Sequence, residues 1–140
     1  NLTNDVSYKC LFIKSFNNEY TLRQYFQSTI DEINKLFQDT TVYQIFFAVM
    51  EGPKFLAPHK NKENSSFYRL QMGIHVDPDD DGTLTVRRKQ YKWKEGCSVV
   101  FDTTKMHCVY KSKDYHRVLL VIDFDKTHMP RITQNSYLMI

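Results

Sequence analysis

The spacing of apolar residues changes once along this chain, near residue 40. Before that point Leu22, Tyr25, Phe26, Ile30, Ile33 and Phe37 recur at steps of three and four, the period of a helix with one buried stripe. Thr21-Leu-Arg-Gln24 has the form of a capping box at its start. One helix of about four turns is therefore expected, lying on a sheet, with a short strand at Tyr8-Lys-Cys-Leu-Phe-Ile13 before it. Beyond Thr40 the apolar residues alternate or run together, which predicts strands over 42–50, 68–76, 83–88, 89–93, 98–102, 108–111 and 118–124. Gly52-Pro53, Asp79-Asp-Asp-Gly82 and Glu95-Gly96 punctuate them as turns. Many short strands with hairpin-sized gaps after one helix describe an antiparallel sandwich or roll.

The chain of 140 residues is read as one domain. A strand and helix occupy about 8–38, a β core about 42–124, and a tail without a readable pattern 127–140. With 41% apolar residues it can bury one core. The net charge of +3 demands no nucleic acid, and no run approaches the ~18 apolar residues of a membrane span. Cys10, Cys97 and Cys108 form no Cys-x-x-Cys and are read as reduced thiols. Asn1-Leu-Thr and Asn64-Ser-Ser have the form of glycosylation acceptors and carry little weight. No compartment follows, the cytoplasm being slightly favoured.

Two histidines sit in informative surroundings. His59 ends Met50-Glu-Gly-Pro-Lys-Phe-Leu-Ala-Pro-His59, ahead of Tyr68-Arg-Leu-Gln-Met-Gly73. His107 ends Trp93-Lys-Glu-Gly-Cys-Ser-Val-Val-Phe-Asp102-Thr-Thr-Lys-Met-His107. Ten residues later Arg117 opens the apolar run Arg-Val-Leu-Leu-Val-Ile-Asp123. Imidazole suits ferrous iron, and an arginine beside a buried strand is costly unless it meets an anion. Its planar fork matches a carboxylate. Taken singly, each has a plain alternative: His59 as a loop histidine after proline, His107 as a satisfied histidine at a strand start, and Arg117 reaching solvent with Asp114 or Asp123 as partner.

From about Ala48 to Asp123, roughly half of the chain, the order and spacing of these pieces resemble the aspartyl/asparaginyl β-hydroxylase family of iron(II)- and 2-oxoglutarate-dependent dioxygenases. The resemblance implies a mainly β fold with an N-terminal helix, the double-stranded β-helix or jelly roll. It implies Fe(II) held by His59 and His107 without a carboxylate ligand. It also implies 2-oxoglutarate held by Arg117, with Met50 and His75 beside it, and a substrate met by Gln71 and Arg69. The expected reaction is hydroxylation of an unactivated C–H bond of an aspartyl, asparaginyl or related amino-acid unit, free or in a peptide. A noncatalytic jelly-roll binding module is the alternative.

Three positions depart from the family pattern: Ala48 where a serine is usual, Gln71 where an arginine is frequent, and Gly73 where a histidine is frequent. Period two would put Gln71, Gly73 and His75 on one strand face, with His75 filling the space opposite Gly73. These departures leave an amide, another amino acid or a lipid-like acyl chain open as substrate.

Other patterns invite other chemistry. His75-Val-Asp77 could complete a facial triad with His107. Asp77-Pro-Asp-Asp-Asp-Gly82 opens like a calcium loop, but its twelfth position is Arg88 rather than a glutamate, so it is read as a solvated acidic turn. Arg87-Arg-Lys-Gln-Tyr-Lys-Trp-Lys94 could track phosphates; a hairpin with its lysines outward gives the same pattern, and no nucleic acid is expected. Cys108 beside His107 has no oxyanion motif to make it a nucleophile.

Overall fold

A computed structural model of the chain describes residues 8–16, 18–61, 66–111, 114–127 and 137–140; Asn1-Leu-Thr3, Asn64 and Ser65 of the glycosylation triplets and most of the tail lie outside them. Its strands are β1 (Tyr8–Ser15), β2 (Asn18–Glu19), β3 (Val42–Met50), β4 (Lys54–His59), β5 (Phe67–His75), β6 (Thr83–Val86), β7 (Lys89–Lys92), β8 (Ser98–Phe101), β9 (His107–Lys111), β10 (Arg117–Asp125) and β11 (Tyr137–Met139). A 3-10 segment, Thr21–Phe26, leads into helix α1, Gln27–Leu36. The strands form one sheet in the order β11-β8-β5-β10-β3-β1-β2 and a second in the order β4-β9-β6-β7. Strands that are successive in the chain alternate between the sheets from β3 to β6, which is the weave of a jelly roll. This is the expected fold class, mainly β with an N-terminal helix.

The apolar run of β10 is continuous because the strand is central and covered on both faces. Leu119 and Val121 point between the sheets, packing with Phe46, Ala48, Val99, Phe101, Leu84 and Trp93. Leu120 and Ile122 point outwards, beneath Ile30, Ile33 and Phe37 of the helical segment. Sandwiching by a second sheet on one side and a helix on the other leaves no face open to solvent, so the strand's two buried polar side chains, Arg117 and Asp123, need partners within the protein.

The helix is shorter than its apolar stripe predicts. Thr21 caps nothing: the 3-10 segment starts after Tyr20 with no side-chain cap bond. At Phe26 the backbone leaves helical angles (φ −126°, ψ 31°). The Phe26 ring meets Phe47 at a centroid distance of 5.0 Å, a contact with the sheet that a straight four-turn helix need not provide. Three strands were also unforeseen, the two-residue β2 among them. β4 carries His59, and β11 pairs parallel to β8 from within the tail.

A bulge decides where β5 aims its last residues. Leu119 faces Gly73, yet its neighbour Val118 faces His75, so Ile74 is an extra residue. Facing residues share a side of the sheet, and Val118 and Leu119 point to opposite sides. His75 is thereby turned off the face that carries Gln71 and Gly73, contrary to the period-two expectation. The space beside Gly73 is taken instead by the chain at Lys94, whose carbonyl oxygen would lie 2.5 Å from a Cβ built at Gly73.

Candidate active site

The two histidines are brought together by strand pairing. His59 at the end of β4 and His107 at the start of β9 are register partners. Their rings stand 4.3 Å apart between centroids, at 58° to one another. In each, Nδ1 lies against the carbonyl oxygen two residues upstream: Ala57 O at 2.9 Å for His59 and Lys105 O at 2.7 Å for His107. A carbonyl can only accept, so each Nδ1 carries a proton, and in the neutral ring the lone pair is on Nε2. This tautomer suits a metal ligand, and the carbonyls are the orienting partners that fix it. The sequence offers no sign of them, because the main chain supplies both.

Burial pushes His107 below the usual imidazole pKa of 6.5. The Lys105 carbonyl opposes the shift, while His59 and the positive charge of Arg69 add to it. The ring is therefore held neutral, as metal binding requires. Phe101 meets it edge-on at 5.4 Å. Among the described residues no cluster of three or more His, Cys, Asp or Glu side chains could hold an ion, so His75-Val-Asp77 does not complete a triad with His107. The Asp77 carboxylate instead accepts the Asp79 amide at 2.8 Å, and His75 lies 3.6 Å from Glu95. Two imidazoles, each with Nδ1 turned to a carbonyl and Nε2 left as the metal-binding nitrogen, are a donor set that fits ferrous iron.

Arg117 is enclosed between the sheets, 1% exposed. Its guanidinium lies over the Trp93 ring at 3.9 Å, and Nη2 donates to Met50 Sδ at 3.2 Å. It meets the carboxylate of Asp80, 2% exposed, with Oδ2 at 3.8 Å from Nη1, while Asp123 is bonded to Arg69 and Gln44. The acidic turn is thus not wholly solvated: Asp79 is exposed and Asp81 half-buried, while Asp80 turns inwards. Three aspartates in a row carry no sequence mark that separates the middle one.

The other candidate residues have definite partners. Trp93 Nε1 donates to Gln71 Oε1 at 3.3 Å, which links Gln71 to the wall of the Arg117 site. Arg69 is paired with Asp123, Nε to Oδ1 at 2.8 Å and Nη2 to Oδ2 at 3.0 Å. Gln71, Arg69 and Arg117 share the inner face of the large sheet, and Phe101, which touches His107, is the register partner of Arg69. His75 is mostly exposed and stands apart from this face. Arg87–Lys94 spans the turn and second strand of the β6–β7 hairpin, where Lys89, Lys92 and Lys94 are exposed, as expected of lysines turned outward. Among the described residues no helix is long and apolar enough to cross a membrane.

Residues 8–127 match the model of a family described as aspartyl/asparaginyl beta-hydroxylase. Over 81 residues the sequence is 32% identical to an ornithine lipid ester-linked acyl 2-hydroxylase of Rhizobium tropici, a stretch covering 57% of this chain and 28% of that protein. The chain thus spans little more than a quarter of that relative's length. Among solved structures, an oxidoreductase of the 2OG-Fe(II) oxygenase family from Burkholderia pseudomallei superposes with a TM-score of 0.62 at 10% identity, over 89% of this chain and 70% of that one. A prolyl-4-hydroxylase from Pseudomonas putida does so with a TM-score of 0.59 at 16% identity, over 91% and 78%. At these identities the superpositions speak for the fold alone.

Proposed function

The chain belongs to the aspartyl/asparaginyl β-hydroxylase family, and from that premise we propose that it is an iron(II)- and 2-oxoglutarate-dependent hydroxylase. His59 and His107 are its metal ligands, and Arg117 is the anchor for the distal carboxylate of the co-substrate. The observation that carries this reading is the pair of facing imidazoles, each with Nδ1 held by a carbonyl of its own strand and Nε2 left to bind a metal. When bound, ferrous iron with 2-oxoglutarate and O2 supplies the oxidation that places one oxygen atom in a C–H bond and leaves succinate and CO2.

The chain's own residues do the positioning. The carbonyls of Ala57 and Lys105 lock the imidazoles in one tautomer and orientation, so no reorganisation is needed when metal arrives. The apolar surroundings of His107 keep water from competing for its lone pair. Trp93 and Met50 hold the Arg117 fork in place, which favours a planar carboxylate over a spherical anion.

The substrate group is uncharged on this reading. Arg69 is committed to the buried carboxylate of Asp123, and Gln71 is neutral and bonded to Trp93, so neither supplies a spare cation for an acidic side chain. That favours an acyl chain or an amide over an aspartyl carboxylate. It agrees with the acyl 2-hydroxylase among the relatives. The test is succinate release from 2-oxoglutarate on anaerobic loading with Fe(II) and admission of oxygen, with acyl lipids and asparaginyl peptides as substrates. Turnover that falls at least about a hundredfold in His107→Ala is expected. Metal binding without succinate from any of these would overturn the reading in favour of a noncatalytic jelly-roll module.

A further inference from the structure

Asp80 stands where an incoming carboxylate would have to go. It lies in the short connection between β5 and β6, where the Asp80 amide donates to Asp77 O at 2.9 Å. One carboxylate oxygen, Oδ1, accepts the Gly82 amide at 2.7 Å. The other, Oδ2, faces Arg117 Nη1 at 3.8 Å and accepts no hydrogen bond. Gly82 closes the same side of the guanidinium: a Cβ there would come within 2.1 Å of Nη1, so the backbone abuts the charge as no other residue would allow. Both side chains are almost wholly buried, each 1% exposed.

This is an ion pair with poor geometry. A charged N–H···O bond is normally about 2.7–2.9 Å long. At 3.8 Å the pair gains Coulomb attraction without a well-formed hydrogen bond, and both groups still lose their hydration. A carboxylate free to approach Arg117 along its fork would bind it better. It could not do so with Asp80 still in place, because two like charges in one buried site destabilise each other.

We propose that Asp80 is a specificity-determining residue of the co-substrate pocket, an internal competitor for Arg117 that a 2-oxo acid with a distal carboxylate must displace. The proposal rests on Arg117 being the co-substrate anchor. Asp80 then tunes how strongly the protein prefers 2-oxoglutarate to 2-oxo acids that have no second carboxylate, which do not contend for Arg117. It also keeps the buried guanidinium next to a negative charge when no co-substrate is bound. The hydrogen bond from Gly82 to Oδ1 survives replacement of Asp80 by asparagine, so the variant removes the charge and keeps the turn.

Calorimetry on protein loaded with Mn(II), which is redox-silent here, separates the outcomes. Asp80→Asn is expected to bind 2-oxoglutarate about tenfold more tightly than the parent, and 2-oxobutyrate within about twofold of it. Unchanged or weaker 2-oxoglutarate binding by a folded variant, with binding to the parent intact, overturns the role of Asp80 and leaves the anchor standing. Failure of both acids to bind the parent overturns the functional reading and this proposal with it. A second measurement needs no variant. Hydrogen exchange of the Asp80 and Gly82 amides should speed up with 2-oxoglutarate, as the turn is displaced, and stay unchanged with 2-oxobutyrate. Equal protection under both acids would count against displacement.

Discussion

Asp123 is fully buried, and three hydrogen bonds keep it there: two from Arg69 and one from Gln44 Nε2 at 2.8 Å. The Arg69 guanidinium also lies 5.5 Å from the Phe46 ring centroid. The arginine of Tyr68-Arg-Leu-Gln-Met thus has a structural task, for which it was not singled out by its sequence context. Removing it leaves an uncompensated charge in the core, a loss that commonly costs about 3–5 kcal/mol. Arg69→Leu should lower the urea midpoint by that much stability, and much less when combined with Asp123→Leu, since the lone charge is then gone. An equal loss in the single and double variants would show that the arginine acts by packing alone. His59, His107 and Arg117 were marked as candidates by residue type, local pattern and the family resemblance, and the fold brings the two histidines face to face. Asp80 was not, because its two neighbours are chemically identical and only the path of the turn selects it.

At the scale of the element, close approaches between backbones set the site. Gly73 of β5 accepts a hydrogen bond from the Gly96 amide at 2.9 Å and donates to Cys97 O at 3.1 Å. The segment it grips follows directly on Trp93, the wall of the Arg117 site. A methyl group at Gly73 would lie 2.5 Å from Lys94 O and 3.0 Å from Val76 Cγ2, and the first of these is backbone that cannot swing aside. Gly73→Ala is expected to cost about 1–3 kcal/mol by overpacking, read as a lower denaturant midpoint. It should also weaken 2-oxoglutarate binding through displaced Trp93; a neutral effect on both would mean the seam is loose. β4 escaped the sequence pattern for a related reason. Its Pro58 cannot donate to a ladder, which argues against a strand in general but not at an edge, and β4 is the edge of the small sheet. The registration of His59 on His107 comes just after an irregularity between Leu56 and His59. The helix was legible in existence and buried face but not in length, since Phe26 answers to Phe47 across the interface rather than to its own segment.

The whole molecule is a two-sheet sandwich in which the proposed metal ligands come from two strands of one sheet, and the anion anchor from the central strand of the other. Metal that binds only the folded state must then stabilise the fold, by about 2.7 kcal/mol at a hundredfold excess over Kd. A rise in Tm with Mn(II) is expected for the parent and for Asp80→Asn, and none for His59→Ala or His107→Ala. A rise that survives both histidine variants would put the metal elsewhere. The order of chemistry-bearing residues, the parity by which alternate residues of a strand share a face, and the two-layer architecture were determined by the sequence itself; which parity faces inward along the doubly covered β10 was not. Parity follows from the covalent geometry of an extended chain, in which successive side chains point to opposite sides, so it can be read locally. Only the tertiary structure decided that His59 faces His107, that a bulge turns His75 away, that Arg69 serves Asp123, and that Asp80 meets Arg117. Register, bulges and the closure of a turn are set by contacts between residues far apart in the chain, and no local period carries that information.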